Sequence, residues 1–279
     1  SILMITMQST SSGVREIVTF QNYVRAQSLE EAWELNQKRR NTIVAGMMWL
    51  KMSKQSFNTA IDLCELGLDR IEETDEEFRI GAMATLRQME KHPGLAAYSC
   101  GAVEDAFKDI VGVQFRNGAT LGGSIWRRMG FSDIVTVFMA MDSYVELHKG
   151  GIVPLEEFVS MTYDNDIVVS LIVKKRPGAF AYQAIRKQRT DLPTLNCAAA
   201  RLGDEHRVVI GSRPGRAMIL CDEEGILADG ITGESTAAFA EYAAGKVPVS
   251  GNMWGSAEYR AALVPVITRR TLMALKEVL

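Results

Sequence analysis

Apolar and polar positions along the chain fall into short strand-like runs and helical-period stretches, with neither dominating. Residues before Phe20 read as an irregular lead-in. Ser28-Leu29-Glu30-Glu31 sets a hydroxyl three residues ahead of a carboxylate, a capping box that predicts a helix to about Arg40. The run Thr42-Ile43-Val44-Ala45 predicts a short buried strand ending at Gly46, and a second strand follows at Thr59–Leu63. The first third therefore reads β–α–β–β, unlike the regular alternation of a Rossmann series.

Phe78–Ala82 predicts the next strand, and Thr85-Leu86-Arg87-Gln88 repeats the capping pattern for a short helix stopped by Pro93. Val103, Ala106, Phe107 and Ile110 recur at helical spacing, predicting one helix from about Leu95 to Ile110. After a glycine-rich stretch around Gly122, Ser132-Asp133 caps an apolar helix through Met141, and Tyr144–Leu147 alternates as a strand. Composition shifts at Lys174-Lys175-Arg176-Pro177-Gly178, the expected domain boundary. Beyond it four meandering strands are predicted, at Ala179–Arg186, Thr194–Leu202, Val208–Gly211 and Ala217–Leu220. Three helices follow, near Asp222–Ala228, Glu234–Ala244 and Ser256–Leu279, the last carrying Pro265. Strands followed by helices make an α+β pattern.

The chain's 279 residues, 47% hydrophobic and 23% charged, supply a full core and no disorder signature. A formal net charge of −3 lacks the basic footprint of a nucleic-acid binder. Cys64, Cys100, Cys197 and Cys221 are far apart, as are His92, His148 and His206, so no close-spaced metal-ligand pattern exists. No apolar run reaches the roughly 18 residues of a membrane span, and the apolar start Ser1–Thr6 lacks a basic leader or cleavage site. These features predict a soluble, cytoplasmic protein with no membrane span, no metal site and no nucleic-acid partner.

Two loops have the character of anion sites. In Ile43-Val44-Ala45-Gly46-Met47-Met48-Trp49-Leu50 a strand stops at a glycine, which lets successive amides turn outward as a nest. In Arg116-Asn117-Gly118-Ala119-Thr120-Leu121-Gly122-Gly123-Ser124 the paired glycines permit close approach of a ligand to the backbone. Thr120 and Ser124 add hydroxyls, and Asp133 adds a carboxylate suited to a ribose hydroxyl pair or an adenine amine. From chemistry alone these are either glycine-rich connections or the two halves of a nucleotide site.

The ordered set R-N-x-x-T-x-G-G-S at Arg116–Ser124, with Asp133 nine residues on, resembles the FAD-binding subunit of the molybdenum hydroxylases. That family includes xanthine dehydrogenase, carbon monoxide dehydrogenase and nicotinate dehydrogenase. Ser28–Ala32, Ile80–Leu86, Val153–Phe158 and Ala257–Arg260 resemble further family segments, so the likeness covers roughly residues 17–279. The resemblance implies a two-lobed α+β FAD-binding domain of the vanillyl-alcohol oxidase (PCMH) type and a smaller α+β C-terminal domain. Its expected spans are 17–174 (lobes about 17–72 and 73–174) and 175–279, after the lead-in at 1–16. Carried over by position, Ile43 to Leu50 and Thr120 to Ser124 hold the FAD diphosphate and Asp133 the ribose or adenine. Ile110 and Val168 line the flavin, and Gln183 stands where some members carry a lysine near the ring. Met47, Met48 and Trp49 depart from the glycine and hydroxyl residues common in the first loop, and Trp126-Arg127-Arg128-Met129-Gly130 departs in the second.

By the same resemblance the chain is an electron-transfer subunit. A large partner subunit would hold molybdopterin and a small one two [2Fe–2S] clusters, with NAD or another acceptor receiving the electrons. No catalytic acid or base is expected, because this chain's residues would position and tune the flavin. Two rival readings are a flavin-free scaffold of such a complex and a stand-alone flavin oxidoreductase.

Overall fold

The computed structural model describes residues 17–279, so the lead-in expected at 1–16 lies outside the described residues. The first lobe contains β1 (Thr19–Arg25), α1 (Leu29–Asn36), β2 (Asn41–Val44) and β3 (Ser56–Asp62). β3 is central and pairs in parallel with both others, in the order β1-β3-β2. The Ser28 side chain caps α1 by accepting from the Glu31 amide, while Glu31 Oε2 accepts from the Gln27 amide at 2.7 Å. The helix stops at Asn36 and does not reach Arg40, because Asn41 Nδ2 takes up the Leu35 carbonyl at 2.8 Å and Arg40 turns left-handed at φ 66°.

The second lobe opens with β4 (Ile71–Glu73), β5 (Glu77–Gly81) and α2 (Leu86–Lys91). It continues through α3 (Pro93–Tyr98), α4 (Ala102–Phe107), α5 (Val113–Gly118), α6 (Leu121–Trp126) and α7 (Asp133–Met139). β6 (Asp142–Leu147), β7 (Gly151–Pro154), α8 (Leu155–Ser160) and β8 (Val168–Lys174) complete it. The strands form one antiparallel sheet, β4-β5-β8-β6-β7. Thr85 and Gln88 exchange both bonds of a capping box at the start of α2. The single helix expected over Leu95–Ile110 is two. Cys100 and Gly101 sit at φ 52° and 83°, and the Gly101 amide closes on Ala96 O at 2.9 Å, a helix-ending turn that the apolar periodicity conceals. The glycine-rich stretch, expected as a loop, is flanked and partly occupied by α5 and α6.

β9 (Gly178–Ile185), β10 (Leu195–Leu202), β11 (Glu205–Gly211) and β12 (Met218–Cys221) make an antiparallel sheet in the order β12-β11-β10-β9. α9 (Gly233–Lys246) and α10 (Ala257–Val278) follow. The helix expected at Asp222–Ala228 does not form. Both Asp222 carboxylate oxygens instead accept from the Ile226 and Leu227 amides at 2.8 and 2.6 Å, closing a loop on its own side chain. β10 is buried on both faces. Ala198, Ala200 and Leu202 join the core of the second lobe, while Leu195, Cys197 and Ala199 pack with α9 and α10. Burial pushes the Cys197 thiol up to about 12. The architecture is a two-domain α+β fold whose C-terminal sheet shares a core with the second lobe.

Candidate functional site

The two glycine loops touch. A Cβ on Gly46 would lie 1.5 Å from the Gly118 carbonyl oxygen, so the first loop approaches α5 at a distance only glycine allows. Met48 closes the same contact, since a Cβ on Gly118 would meet Met48 Cε at 2.1 Å. Trp49 stands edge-on to Phe115 with 5.7 Å between ring centroids. Met47 adopts φ 55°, a left-handed conformation that costs a non-glycine residue about 1–2 kcal/mol. Its backbone is therefore the one a second glycine would adopt, as the departure from the family pattern implies. Ile43 and Val44 lie on β2, where Val44 is buried, and Ala45 leads into the turn. Leu50 opens a short 3₁₀ turn, Leu50–Met52, closed by the Lys51 amide on Met47 O at 2.9 Å. The amides of Gly46, Met47, Met48, Trp49 and Leu50 have no acceptor among the described residues.

The second loop has spent most of its donors. The Leu121 amide bonds Ala84 O at 2.9 Å and the Gly122 amide bonds Ala82 O at 2.7 Å. Gly122 also needs its missing Cβ for packing, because the added atom would fall 2.8 Å from Ala82 Cβ. Ser124 Oγ donates to Thr120 O at 2.8 Å. Gly123 differs. A Cβ there would meet only Thr120 Oγ1, at 3.4 Å, and its amide makes one long bond to that same oxygen. Gly123 is thus an exposed glycine facing open space, beside a Thr120 hydroxyl and amide with no acceptor among the described residues. The unspent amides of the first loop and the clearance at Gly123 are what a diphosphate requires, and FAD fits the residues present.

Arg116, which heads the motif, does not face the loops as a free cation. It is buried and ion-paired through Nε to Glu90 Oε2 at 2.8 Å, while Nη1 donates to Ile110 O at 3.0 Å. Burial opposes ionised Glu90, yet Arg116 and Arg87 outweigh it and hold the carboxyl below its ordinary range. Glu90 was absent from the sequence reading, and its separation of 26 residues from Arg116 offers no local signal.

Asp133 starts α7 and is buried. Its Oδ1 accepts from the Tyr182 hydroxyl, from Arg186 Nη2 at 2.7 Å and from Asn196 Nδ2 at 3.3 Å. Burial raises its carboxyl above the usual value, with Arg186 pulling the other way. This residue is first a clasp between α7 and the C-terminal sheet, and Oδ2 alone lacks a partner among the described residues. Tyr182, Arg186 and Asn196 were likewise missed by the sequence reading. Arg128 is also engaged, with its guanidinium 4.0 Å from the Phe158 ring centroid and Nε bonded to Phe158 O.

The remaining expected residues are spread out. Val168 is buried in the core on β8. Gln183 lines a separate cleft of about 430 Å³ with Asp109, Arg186 and Arg189, and Ile110 follows Asp109 directly in the chain. The structure therefore brings Gly46 against Gly118 and Ala119, the residues that lead into Thr120–Ser124. Val168 adjoins the second loop, since the Ala82 amide donates to Val169 O and Ala82 O accepts from the Gly122 amide, whereas Gln183 lies with Tyr182 and Arg186, the partners of Asp133. Among the described residues, no helix is long and apolar enough to cross a membrane.

Residues 18–175 match the family described as the FAD binding domain in molybdopterin dehydrogenase. The nicotine 6-hydroxylase medium subunit of Paenarthrobacter nicotinovorans is 26% identical over 274 residues, covering 90% of this chain and 95% of that protein. The 6-hydroxypseudooxynicotine dehydrogenase complex subunit alpha of the same organism is 28% identical, covering 90% and 93%. In fold, quinoline 2-oxidoreductase from Pseudomonas putida 86 superposes with a TM-score of 0.81 at 18% identity, over 92% of this chain and 97% of that one. Carbon monoxide dehydrogenase from Hydrogenophaga pseudoflava gives 0.80 at 22% identity, over 91% and 96%. With the match spanning more than half its length, the chain belongs to the family of FAD-binding domains of molybdopterin dehydrogenases.

Proposed function

We propose that this chain is the FAD-binding, electron-transfer medium subunit of a multi-subunit molybdenum hydroxylase or dehydrogenase. The observation that carries the reading is the contact of Gly46 with Gly118 and Ala119, which joins a loop of five unspent amides to the segment that leads into Gly123. The Gly46–Leu50 amides and the Thr120 and Gly123 groups would hold the diphosphate, and Asp133 Oδ2 would take the ribose or adenine. Ile110, Val168 and Gln183 are assigned toward the ring by position. The FAD-binding domain is assigned to residues 17–174 and the C-terminal domain to 175–279.

FAD when bound would supply the exchange between single electrons and electron pairs that links [2Fe–2S] clusters on a small partner to NAD or another acceptor. Molybdopterin would reside on a large partner. This chain's own residues bind and orient: the ion pair Arg116–Glu90 anchors α5, the clasp at Asp133 fixes α7, and no side chain is needed as acid or base.

Two relatives described as a medium subunit and a complex subunit, each matched over nine-tenths of this chain, support the subunit reading. Reconstitution tests it. The purified chain with added FAD should gain visible flavin absorbance and a raised melting temperature, and a colourless chain unmoved by FAD would refute it. Met48 lying over Gly118 favours one second reading, a flavin-free scaffold, which the colourless outcome would support.

A further inference from the structure

We propose that a face assembled from four separate chain segments docks an acidic protein surface. The segments are residues 47–54, 126–131, 212–217 and 247–255. Trp49 meets Phe131, and Phe131 meets Trp254, each at 6.4 Å between ring centroids. The Ser212 amide donates to Gly130 O at 2.7 Å and the Ser250 amide to Arg213 O at 3.0 Å. Arg213 Nη1 donates to Pro248 O at 3.0 Å, so the face is one continuous surface.

Its centre is apolar and open. Trp49 is 48% exposed, Met129 43% and Met253 78%. Clustered exposure of large apolar side chains marks interaction sites, and aromatic, methionine and arginine residues are enriched at the centres of protein interfaces. Its rim is cationic. Lys51, Arg127 and Arg216 are exposed, and among the described residues the Arg213 guanidinium bonds only carbonyl oxygens, those of Arg216 and Pro248. The four segments hold six lysines and arginines and no aspartate or glutamate, in a chain whose net charge is −3. Elsewhere several buried and half-buried cations have carboxylate partners, as at Arg116–Glu90, Arg186–Asp133 and Arg207–Glu205, while buried Arg260 beneath the face is spent on the oxygens of Thr194, Ser250, Gly255 and Asn252. One carboxylate, Asp164, stands on the adjoining loop near Arg128.

A cationic rim around an apolar centre is complementary to a protein patch with carboxylates around an apolar core. A long nucleic acid or an anionic bilayer would extend beyond the patch and meet the repulsive charge of the rest of the chain, whereas a protein patch meets the local excess alone.

The test uses the full chain, tagged and purified with the protein that accompanies it in fixed stoichiometry from its own cells. Hydrogen exchange of residues 51–54, 126–131, 212–217 and 247–255 should be slower in that complex than in the free chain at equal flavin content, the 47–50 amides being left out because they are assigned to the diphosphate. The variants Arg127→Glu with Arg216→Glu, and separately Met253→Asp, should weaken the complex by about tenfold or more, and added salt should weaken the wild-type complex. Flavin content per chain should stay unchanged in both variants, which separates this proposal from the FAD reading. Unaltered exchange in those stretches, variants that keep the partner, variants that lose flavin and not the partner, or tighter binding to phosphatidylserine vesicles or a single-stranded oligonucleotide than to the partner would each overturn it.

Discussion

The two glycine loops differ in sequence and divide the work between them. In the first, the amides from Gly46 to Leu50 are unspent and the side chains are bulky; in the second, Leu121, Gly122 and Ser124 have already committed their amides to Ala84, Ala82 and Thr120. The first loop supplies donors, and the second supplies a fixed wall and a clearance at Gly123. The glycines accordingly have three different uses. Gly46 allows two backbones to meet, Gly122 packs against Ala82, and Gly123 faces open space. A motif of small residues does not by itself say which of these each glycine serves.

The division can be broken at the mooring of the second loop. Glu90→Gln leaves Arg116 buried without its counter-charge and should cost about 3–5 kcal/mol, read as a large fall in melting temperature. The pH dependence has a definite sign. Because the folded-state value of Glu90 is depressed, its contribution is present above the unfolded value of about 4.3 and is lost as pH falls through the folded value. Glu90→Gln should therefore flatten the acid limb of a melting-temperature profile, and an unchanged limb would discount the pair.

Next in size is Gly46→Ala. Its Cβ would collide with the Gly118 carbonyl, and the loops should part at a cost of about 3 kcal/mol, with flavin uptake lost in the same titration. Gly123→Val sharpens the contrast, since its Cβ meets nothing but Thr120 Oγ1. The fold should melt as wild type while FAD affinity falls about 100-fold, or roughly 2.7 kcal/mol, in a fluorescence titration. Equal flavin affinity in that variant would remove Gly123 from the site. The smallest effect is expected at Met47→Gly. Relief of the left-handed strain is partly offset by backbone entropy, so stability should change by about 1 kcal/mol or less, toward stabilisation, by denaturant titration.

Most of the element order was legible along the chain, since capping residues and apolar period are local signals. Ser28, Thr85, Ser132, Thr232 and Ser256 each cap a helix through the side chain. The failures were also local competitions decided by backbone geometry. Cys100-Gly101 turned left-handed inside an apolar period, and Asp222 closed a loop where a helix was expected. For the candidate site, the glycines and Asp133 stand out along the chain because their residue types are unusual in that order. Glu90, Tyr182, Arg186 and Asn196 do not, because a buried carboxylate and its cation are joined by folding and not by spacing.

Sequence alone determined the α+β class, the starts of α1, α2, α7 and α10, and the positions of the two glycine-bearing stretches, all set by interactions within a few residues. Tertiary structure decided which amides stay free, which glycine faces open space, and that Asp133 clasps the C-terminal sheet. Those outcomes depend on what lies across the contact, such as Gly118 opposite Gly46 or Ala82 opposite Gly122, and a one-dimensional pattern carries no record of opposite partners.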